Sequence, residues 1–215
     1  MNAWIQKYTE AFDHPLPGWE AQSKMINYSR TNLTEAALHD PEARPGAVLI
    51  LIYPKNDELH TILTLRNTYP GTHSGQVSFP GGKRDPEDDD LWTTALREAR
   101  EEVGLNSEEV ELIGKMTQIY IPPSRFLVTP FLAVCRHAPA LKADPKEVAR
   151  IIETPISLFL NPAIISAREI YVEVLKAKME VKYFGIDGET VWGATAMILS
   201  ELAEIAIKHK LPLTI

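Results

Sequence analysis

The segments Phe79-Pro-Gly-Gly-Lys83 and Leu96-Arg-Glu-Ala-Arg-Glu-Glu-Val-Gly-Leu105 decide the fold of this chain. The second segment predicts the end of a helix, because apolar residues recur at helical spacing before a terminal glycine. On a helix that turns ~100° per residue, Glu98, Glu101 and Glu102 share one face. Three stacked carboxylates repel one another unless a cation lies among them, and such oxygen ligands suit Mg²⁺ or Mn²⁺.

The alternative interpretation of these carboxylates is a solvated helix face, since Glu-rich exposed helices are common. The upstream glycine pair favours a functional site, because glycines let the backbone approach a phosphate or a metal ion closely. Arg97 lies one turn before Glu101 and can hold that carboxylate in a fixed orientation. A loop and helix with this chemistry at both ends are hard to explain by packing alone.

The segment from Gly82 to Leu105 resembles the Nudix box, in which a glycine and a spaced acid precede R-E-U-x-E-E-x-G-U, with U apolar. The last nine residues match throughout. The order of strands and helices indicates an α/β or α+β layer fold with a mixed sheet, and the resemblance implies a Nudix-like α/β/α sandwich. It also implies that Arg97 braces the catalytic carboxylates. The residues expected at the divalent ions are Glu98, Glu101, Glu102 and Gly82.

Two departures from the general pattern are visible. Gly82 lies one residue too far from the Arg97-Glu98 pair, and Asp89 stands where the pattern has Glu. Both departures fit the branch that resembles coenzyme A pyrophosphatases, whose boxes often have an acidic stretch before the helix. We therefore interpret them as features of that branch.

The same branch has an upstream signature, which this chain matches at Arg66, at Gly75 and from Phe79 to Gly82. It departs from the signature at Asn67 and at Gly71, where the branch has a second Arg. Losing that Arg removes a cation that could bind the extra phosphate of coenzyme A, so other cations are expected to replace it. The expected substrate-binding residues are Arg66, His73, Gly81, Gly82, Lys83 and Arg84.

Two of these assignments have structural alternatives. Arg66 also fits a residue at the end of a strand, and His73 also fits a hydrogen-bonding residue of a loop. The resemblance implies hydrolysis of coenzyme A or acyl-CoA to 3′,5′-ADP and (acyl-)4′-phosphopantetheine. Two rival functions are a Nudix hydrolase of ADP-ribose or another nucleoside diphosphate, and a non-catalytic Nudix-fold binding module. The three retained carboxylates disfavour the module.

A general base is also expected, and Glu147 is the candidate outside the box. The alternative for Glu147 is a capping box, in which its side chain reaches back to the backbone of Asp144. Glu102 is the alternative base. The catalytic set expected from the sequence is therefore Glu101, Glu102, Arg97 and Glu147.

Composition narrows the class of protein. The 215 residues contain 22 Lys and Arg against 29 Asp and Glu, a net charge of −7, which excludes a general nucleic-acid binder. We expect a small-molecule nucleotide substrate, no membrane partner and a cytoplasmic location, because no apolar run reaches bilayer length. Cys135 is the single cysteine, so no internal disulfide forms, and its apolar neighbours indicate a small buried side chain.

The domain organisation predicted is an N-terminal extension, residues 1–44, that packs on a Nudix domain, residues 45–215. The extension includes weak helical character over 34–39. It and the apolar C-terminal helix are candidates for a homodimer interface, and an intramolecular cap explains them equally well.

Within the domain, a hairpin is predicted from Ala47 to Leu65, and a second from Ile170 to Ile186. Asp85-Pro86 and Asp144-Pro145 resemble helix starts, with Asp as cap and Pro at the first position. The amphipathic pattern from Thr190 to His209 predicts a long helix.

Overall fold

The computed structural model describes residues 2–26, 40–68, 75–122, 124–172 and 176–215. Its helices are α1 (Ala3–Phe12), α2 (Trp19–Gln22), α3 (Leu91–Val103) and α4 (Gly193–His209). Its strands are β1 (Arg44–Lys55), β2 (Glu58–Arg66), β3 (Val77–Ser78), β4 (Gly81–Lys83), β5 (Glu111–Lys115), β6 (Ile119–Ile121), β7 (Phe126–Val134), β8 (Val148–Pro155), β9 (Ile165–Val172), β10 (Ala177–Ile186) and β11 (Glu189–Val191).

Eight of these strands form one mixed sheet with β1 at its centre. The order is β3-β2-β1-β7-β5, while β4 pairs with β1, β6 with β7 and β8 with β2. β1 and β7 run parallel, and the other pairs are antiparallel. The first predicted hairpin is confirmed as β1–β2, with Asn56 and Asp57 both at positive φ in its two-residue turn. β9, β10 and β11 form a second, antiparallel sheet.

The alternation of side chains along β1 divides the core into two layers. Leu49 and Leu51 lie in a cluster with Ala95 and Ala99 of α3. Residues of opposite parity, such as Ile50, lie in a cluster with residues of α1 and α4. A sheet that buries both faces under helices is a three-layer sandwich. The predicted α/β/α fold is confirmed.

The N-terminal border of α3 was wrong in the sequence interpretation. Asp85-Pro86 begins a turn, in which the Asp88 N–H donates to the Asp85 carbonyl at 3.1 Å. The helix begins after Asp90, whose Oδ1 accepts from the Thr93 N–H at 2.8 Å. Gly104 ends the helix with φ of 67°, as predicted.

The helix start predicted at Asp144-Pro145 was also wrong. Asp144 Oδ1 accepts from the Lys146 N–H at 3.0 Å, which caps one turn only. The chain then enters β8, which pairs with β2 from His60 to Arg66. Pairing with a buried strand overrides the local helix signal, as tertiary context commonly does. β4 is a further difference, since its glycines were expected in the loop that precedes the helix.

The N-terminal segment joins the main core. Trp4, Ile5 and Tyr8 of α1, a helix that the sequence interpretation missed, are buried in the same cluster as α4. The helical character predicted over 34–39 lies outside the described residues. The boundary between residues 44 and 45 stays a prediction, and β1 itself begins at Arg44. No helix among the residues described is long and apolar enough to cross a membrane.

Candidate active site

A cleft of about 650 Å³ opens beside β4 and the C-terminal half of α3. Its lining differs from end to end. The carboxylates of α3 and Glu147 line the end beside α3, an apolar wall includes Met25, Met179 and Met197, and the rest of the lining includes exposed Glu180, Arg44 and Lys83. The cleft therefore offers separate surfaces for a cation, an apolar group and an anion.

Gly82 brings β4 against the carboxylate helix. It pairs with Ala47 of β1, and a Cβ atom on Gly82 would lie 2.5 Å from Cδ of Glu98. Only glycine leaves room for the Glu98 carboxylate in this position. The Gly82 carbonyl oxygen packs against Gly46 of β1, because a Cβ atom on Gly46 would lie only 2.8 Å from it. The predicted metal role of Gly82 stays a prediction.

Arg97 links several groups at the carboxylate end. Its Nη1 donates to Glu98 Oε1 at 2.9 Å and to Glu101 Oε2 at 3.2 Å. Its Nη2 donates to the Lys83 carbonyl at 3.1 Å, which ties α3 to β4. The Arg97 guanidinium therefore fixes Glu98 and Glu101 relative to each other and to β4.

Asp88 holds Arg97 in place, and the sequence interpretation missed it. Its two oxygens accept from Arg97 Nε and Nη2, both at 3.0 Å, and Oδ2 also accepts from Thr94 Oγ1 at 2.8 Å. The Arg97 guanidinium holds the pKa of Asp88 well below its usual range. Asp89, which the box spacing had indicated, is exposed. The extra residue of the box therefore lies between Asp88 and Arg97.

Glu102 is the most buried carboxylate of the cleft, with 2% of its surface exposed. Its Oε1 accepts from Arg66 Nη1 at 3.2 Å, and its Oε2 accepts from the Gly81 N–H at 3.3 Å. Burial raises the pKa of Glu102 to about 7. Arg66 and the Gly81 N–H act in the opposite direction, and Glu98 adds to the rise. Arg66, predicted as a substrate ligand, contacts a catalytic candidate.

Glu98 shares this crowded environment. Burial raises the pKa of Glu98, Arg97 lowers it, and the neighbouring charges of Glu101 and Glu147 raise it. Glu147 also raises the pKa of Glu102. The carboxylates of the box and the one outside it are therefore within electrostatic reach of each other, an arrangement that favours a bound cation.

The capping box considered for Glu147 is not formed. The Asp144 N–H donates to the Glu102 carbonyl at 2.9 Å, so the backbone donor that Glu147 would cap is already bonded. The Glu147 carbonyl accepts from the Asn67 N–H at 3.0 Å, which fixes its backbone beside the end of β2. Its exposed side chain lines the cleft.

Carboxylate oxygens are the donors that Mg²⁺ and Mn²⁺ prefer, so the residues fit a divalent ion in their chemistry. Within the described ranges, no three acidic, His or Cys side chains converge on one point as a finished ligand set. Arg97 lies between Glu98 and Glu101, and Arg66 contacts Glu102. A bound divalent ion would therefore compete with Arg97 and Arg66 for these carboxylates.

The predicted basic residues divide into three groups. Lys83 lines the cleft and is exposed. Arg84 contacts the turn that precedes α3, where its Nη2 donates to the carbonyls of Asp88 and Asp89 at 2.9 and 3.0 Å. His73 lies outside the described residues. Arg44, at the start of β1, lines the cleft and was missed, because no motif marks it.

Cys135 has no part in this site. It is fully buried after β7, and burial raises the pKa of its thiol to about 12. The prediction that Cys135 is a small buried side chain is confirmed.

Comparisons with known proteins agree with this geometry. A NUDIX domain model matches residues 43–172. A Photorhabdus laumondii protein named Uncharacterized Nudix hydrolase NudL is 34% identical over 161 residues, covering 75% of this chain and 84% of the relative. A protein of the same name from Yersinia pestis (strain Pestoides F) is 33% identical over 172 residues, covering 80% and 84%.

Solved structures give the same fold. The crystal structure of the M. smegmatis Nudix hydrolase RenU matches with a TM-score of 0.55 at 15% identity, covering 80% of this chain and 90% of that one. The family match and the relatives define the class, and the chain belongs to the Nudix family. It is an enzyme, a hydrolase of pyrophosphate linkages. The family match and the relatives named hydrolases favour the enzyme over the non-catalytic module.

Proposed function

We propose that this enzyme hydrolyses the pyrophosphate linkage of coenzyme A or acyl-CoA, with Mg²⁺ or Mn²⁺, to 3′,5′-ADP and (acyl-)4′-phosphopantetheine. One observation carries the proposal: carboxylates, an apolar wall and unpaired cations line a single cleft. A diphosphate, an apolar thiol or thioester arm and a further phosphate are the matching parts of the substrate. The metal-dependent step rests on Glu98, Glu101 and Glu102.

The proposed roles follow from the contacts. Glu98, Glu101 and Glu102 hold the divalent ion, which, when bound, neutralises diphosphate charge and lowers the pKa of water. Arg97 keeps Glu98 and Glu101 in register through its bonds to both. Gly81 and Gly82 offer backbone groups to the substrate, while the space of their absent Cβ atoms is taken by β1 and by the Glu98 carboxylate. A water oxygen bonds to one phosphorus, and the bridging P–O bond breaks.

Two carboxylates are candidates for the base that takes the proton of the water. Glu147 is exposed to the cleft and is not engaged in the capping box, which supports its candidacy. Glu102 is the alternative, because its carboxylate is buried at the same end of the cleft. The base is identified by which variant, Glu147→Gln or Glu102→Gln, removes the limb of the pH–rate profile on the acidic side.

The rival substrate is ADP-ribose or another nucleoside diphosphate, which the same carboxylate end would serve. The apolar wall favours coenzyme A, because ADP-ribose offers a second sugar where Met25, Met179 and Met197 offer no hydrogen-bond partners. The cytoplasmic location and the homodimer stay predictions of the sequence.

Mass spectrometry of the products formed in ¹⁸O-labelled water tests the proposal. A panel of coenzyme A, an acyl-CoA and ADP-ribose is incubated with Mg²⁺ or Mn²⁺, with and without chelator. We expect metal-dependent release of 3′,5′-ADP, and the labelled product identifies the phosphorus attacked. Much faster turnover of ADP-ribose than of coenzyme A would contradict the substrate and leave the hydrolase class intact.

A further inference from the structure

Two basic side chains on the rim of the cleft have no acidic partner. Of the positively charged residues described in its lining, Arg66 is paired with Glu102. Arg44 and Lys83 form no ion pair within the described part of the chain. In a protein of net charge −7, two unpaired cations that share one cleft indicate a place for an anion.

The sheet brings Arg44 and Lys83 together. Lys83 of β4 lies directly opposite Gly46 of β1. Arg44 stands two residues before Gly46, so its side chain leaves the same face of β1. Diagonal neighbours of this kind in an antiparallel pair are about 7–8 Å apart, near enough for two long side chains to hold one phosphate.

The guanidinium of Arg44 has a fixed orientation. Its Nε and Nη2 donate to the Ser124 carbonyl at 3.1 and 2.6 Å. Its Cζ lies 4.3 Å from the ring centroid of Phe126. Its Nη1 has no partner among the residues described. An arginine held in this way loses little rotamer freedom when it binds a ligand.

Charge changes sign in order along this edge of the sheet. Glu102 accepts from the Gly81 N–H, and Glu98 packs against Gly82. Lys83 follows, and Arg44 lies beyond it on the paired strand. Successive residues of a strand point to opposite faces, so Lys83 and Arg44 leave the face opposite to the one on which Glu98 packs against Gly82, and the cleft is lined by both sets. A diphosphate at the carboxylate end would thus place an adjoining ribose near the cations.

We propose that Arg44 and Lys83 form a receptor for a phosphomonoester on the ribose, distinct from the diphosphate that is cleaved. The substrate class selected is a nucleoside diphosphate derivative with an additional ribose phosphate. The inference rests on the proposed function in one respect, that the diphosphate binds at the carboxylate end. It replaces the earlier expectation for Arg66, which is paired with Glu102, and for Arg84, which does not line the cleft.

Equilibrium binding of two nucleotides tests the receptor without turnover. Adenosine 3′,5′-bisphosphate and 5′-AMP are titrated into the full chain with Mg²⁺. We expect the bisphosphate to bind about tenfold more tightly or better, the scale of one charge-assisted contact. The Arg44→Gln/Lys83→Gln variant should lose this preference and keep its affinity for 5′-AMP. Lys83→Gln alone serves if the double variant is unstable.

Arg100→Gln is the matched control, because Arg100 is an exposed cation of α3 that does not line the cleft. It should retain the preference for the bisphosphate. A preference that survives in the double variant, or a parallel loss of both affinities, would overturn the receptor.

Turnover separates this inference from the proposed function. The double variant should lower kcat/KM for coenzyme A about tenfold more than that for 3′-dephospho-CoA. If the native enzyme hydrolyses neither compound but cleaves ADP-ribose, the proposed substrate fails, and the binding measurement still decides whether the receptor exists. Equal losses on coenzyme A and its dephospho form contradict the receptor alone.

Discussion

Two buried glutamates, Glu102 of α3 and Glu201 of α4, lie in opposite kinds of surroundings. Both have almost no exposed surface, and burial is the first cause that raises the pKa of each. Glu102 has the negative charges of Glu98 and Glu147 nearby and one cation, Arg66. A buried carboxylate is costly in both places, so the neighbours show what each is for.

Glu201 is surrounded by neutral donors. Its Oε1 accepts from Thr117 Oγ1 at 2.6 Å and from the Gly18 N–H at 3.2 Å, and its Oε2 accepts from Gln22 Nε2 at 2.9 Å. These groups come from the segment before β6 and from the N-terminal segment, so Glu201 joins distant parts of the chain. Its hydrogen-bonding capacity is largely used, which indicates a structural role.

The difference teaches how a functional carboxylate is told from a structural one. Glu102 is buried beside like charges and opens to a cleft, so its burial is stabilised further when a cation arrives. Glu201 is buried with its partners already in place. Neither burial nor a raised pKa separates the two residues.

The largest expected effect comes from exchanging carboxylate for amide at both positions. Glu102→Gln should lower kcat with Mg²⁺ by on the order of 10³-fold, the scale of losing one preorganised electrostatic group. Glu201→Gln should change kcat by no more than about threefold, because its neighbours lie outside the chemistry. Steady-state kinetics and circular dichroism of both variants make the comparison. Equal losses of activity would contradict the division of roles.

A second test removes the charge that holds Arg97 and leaves the glutamates of α3 unchanged. Asp88→Asn removes the charge that holds Arg97, which we expect to destabilise the fold by up to about 3 kcal/mol. Misplacement of Glu98 and Glu101 should lower kcat by about 10²-fold. Asp89→Asn is the control, since Asp89 is exposed and next in sequence. Denaturant unfolding and kinetics should separate the pair, and similar behaviour would contradict the role of Asp88.

The contrast between Asp88 and Asp89 marks a limit of the sequence. The carboxylates of α3 were predictable, because helical spacing places Glu98, Glu101 and Glu102 on one face. Asp88, Asp89 and Asp90 are consecutive and chemically identical, and only the path of the turn buries the first and makes the third a helix cap. Sequence counting cannot distinguish them.

Elements whose deciding residues lie close together in the sequence were also predictable. The hairpin of β1 and β2 and the helix end at Gly104 depend on turn residues and periodicity within a few positions. β8 was missed as a strand because its partner β2 is distant in the chain. Arg44 was missed because its place in the cleft depends on pairing of β1 with β4 and on Phe126 of β7.

A third test sharpens the comparison at the glycine strand. Gly82→Ala puts a methyl group where the Glu98 carboxylate lies, and that flexible side chain is expected to move while β4 stays paired. We expect kcat to fall about tenfold through misplacement of one ligand, with little change in stability. Gly185→Ala in β10, where the nearest atom is 3.8 Å away, should change neither. Loss of folding in Gly82→Ala would show that the contact is structural.

The smallest expected effect is the dependence of stability on pH. A carboxyl whose folded pKa is raised binds its proton more tightly in the folded state, so the free energy of unfolding falls as pH rises above the unfolded value of about 4.3. For Glu102 the free energy of unfolding keeps falling to about pH 7. For Glu201 the fall also starts at the unfolded value of about 4.3. Each Gln variant should remove its own part of the slope.

The readout is the slope and not the stability at one pH, because Gln at 201 places an amide against the donors of Gln22 and Gly18 and costs hydrogen bonds at every pH. Urea unfolding with chelator, from pH 4 to pH 8, gives the difference between each variant and the native protein. Added Mg²⁺ should flatten the Glu102 difference, since a bound cation favours the ionised form, and should leave the Glu201 difference unchanged. A dependence of the Glu201 difference on Mg²⁺ would contradict its structural role and its separation from the carboxylate site.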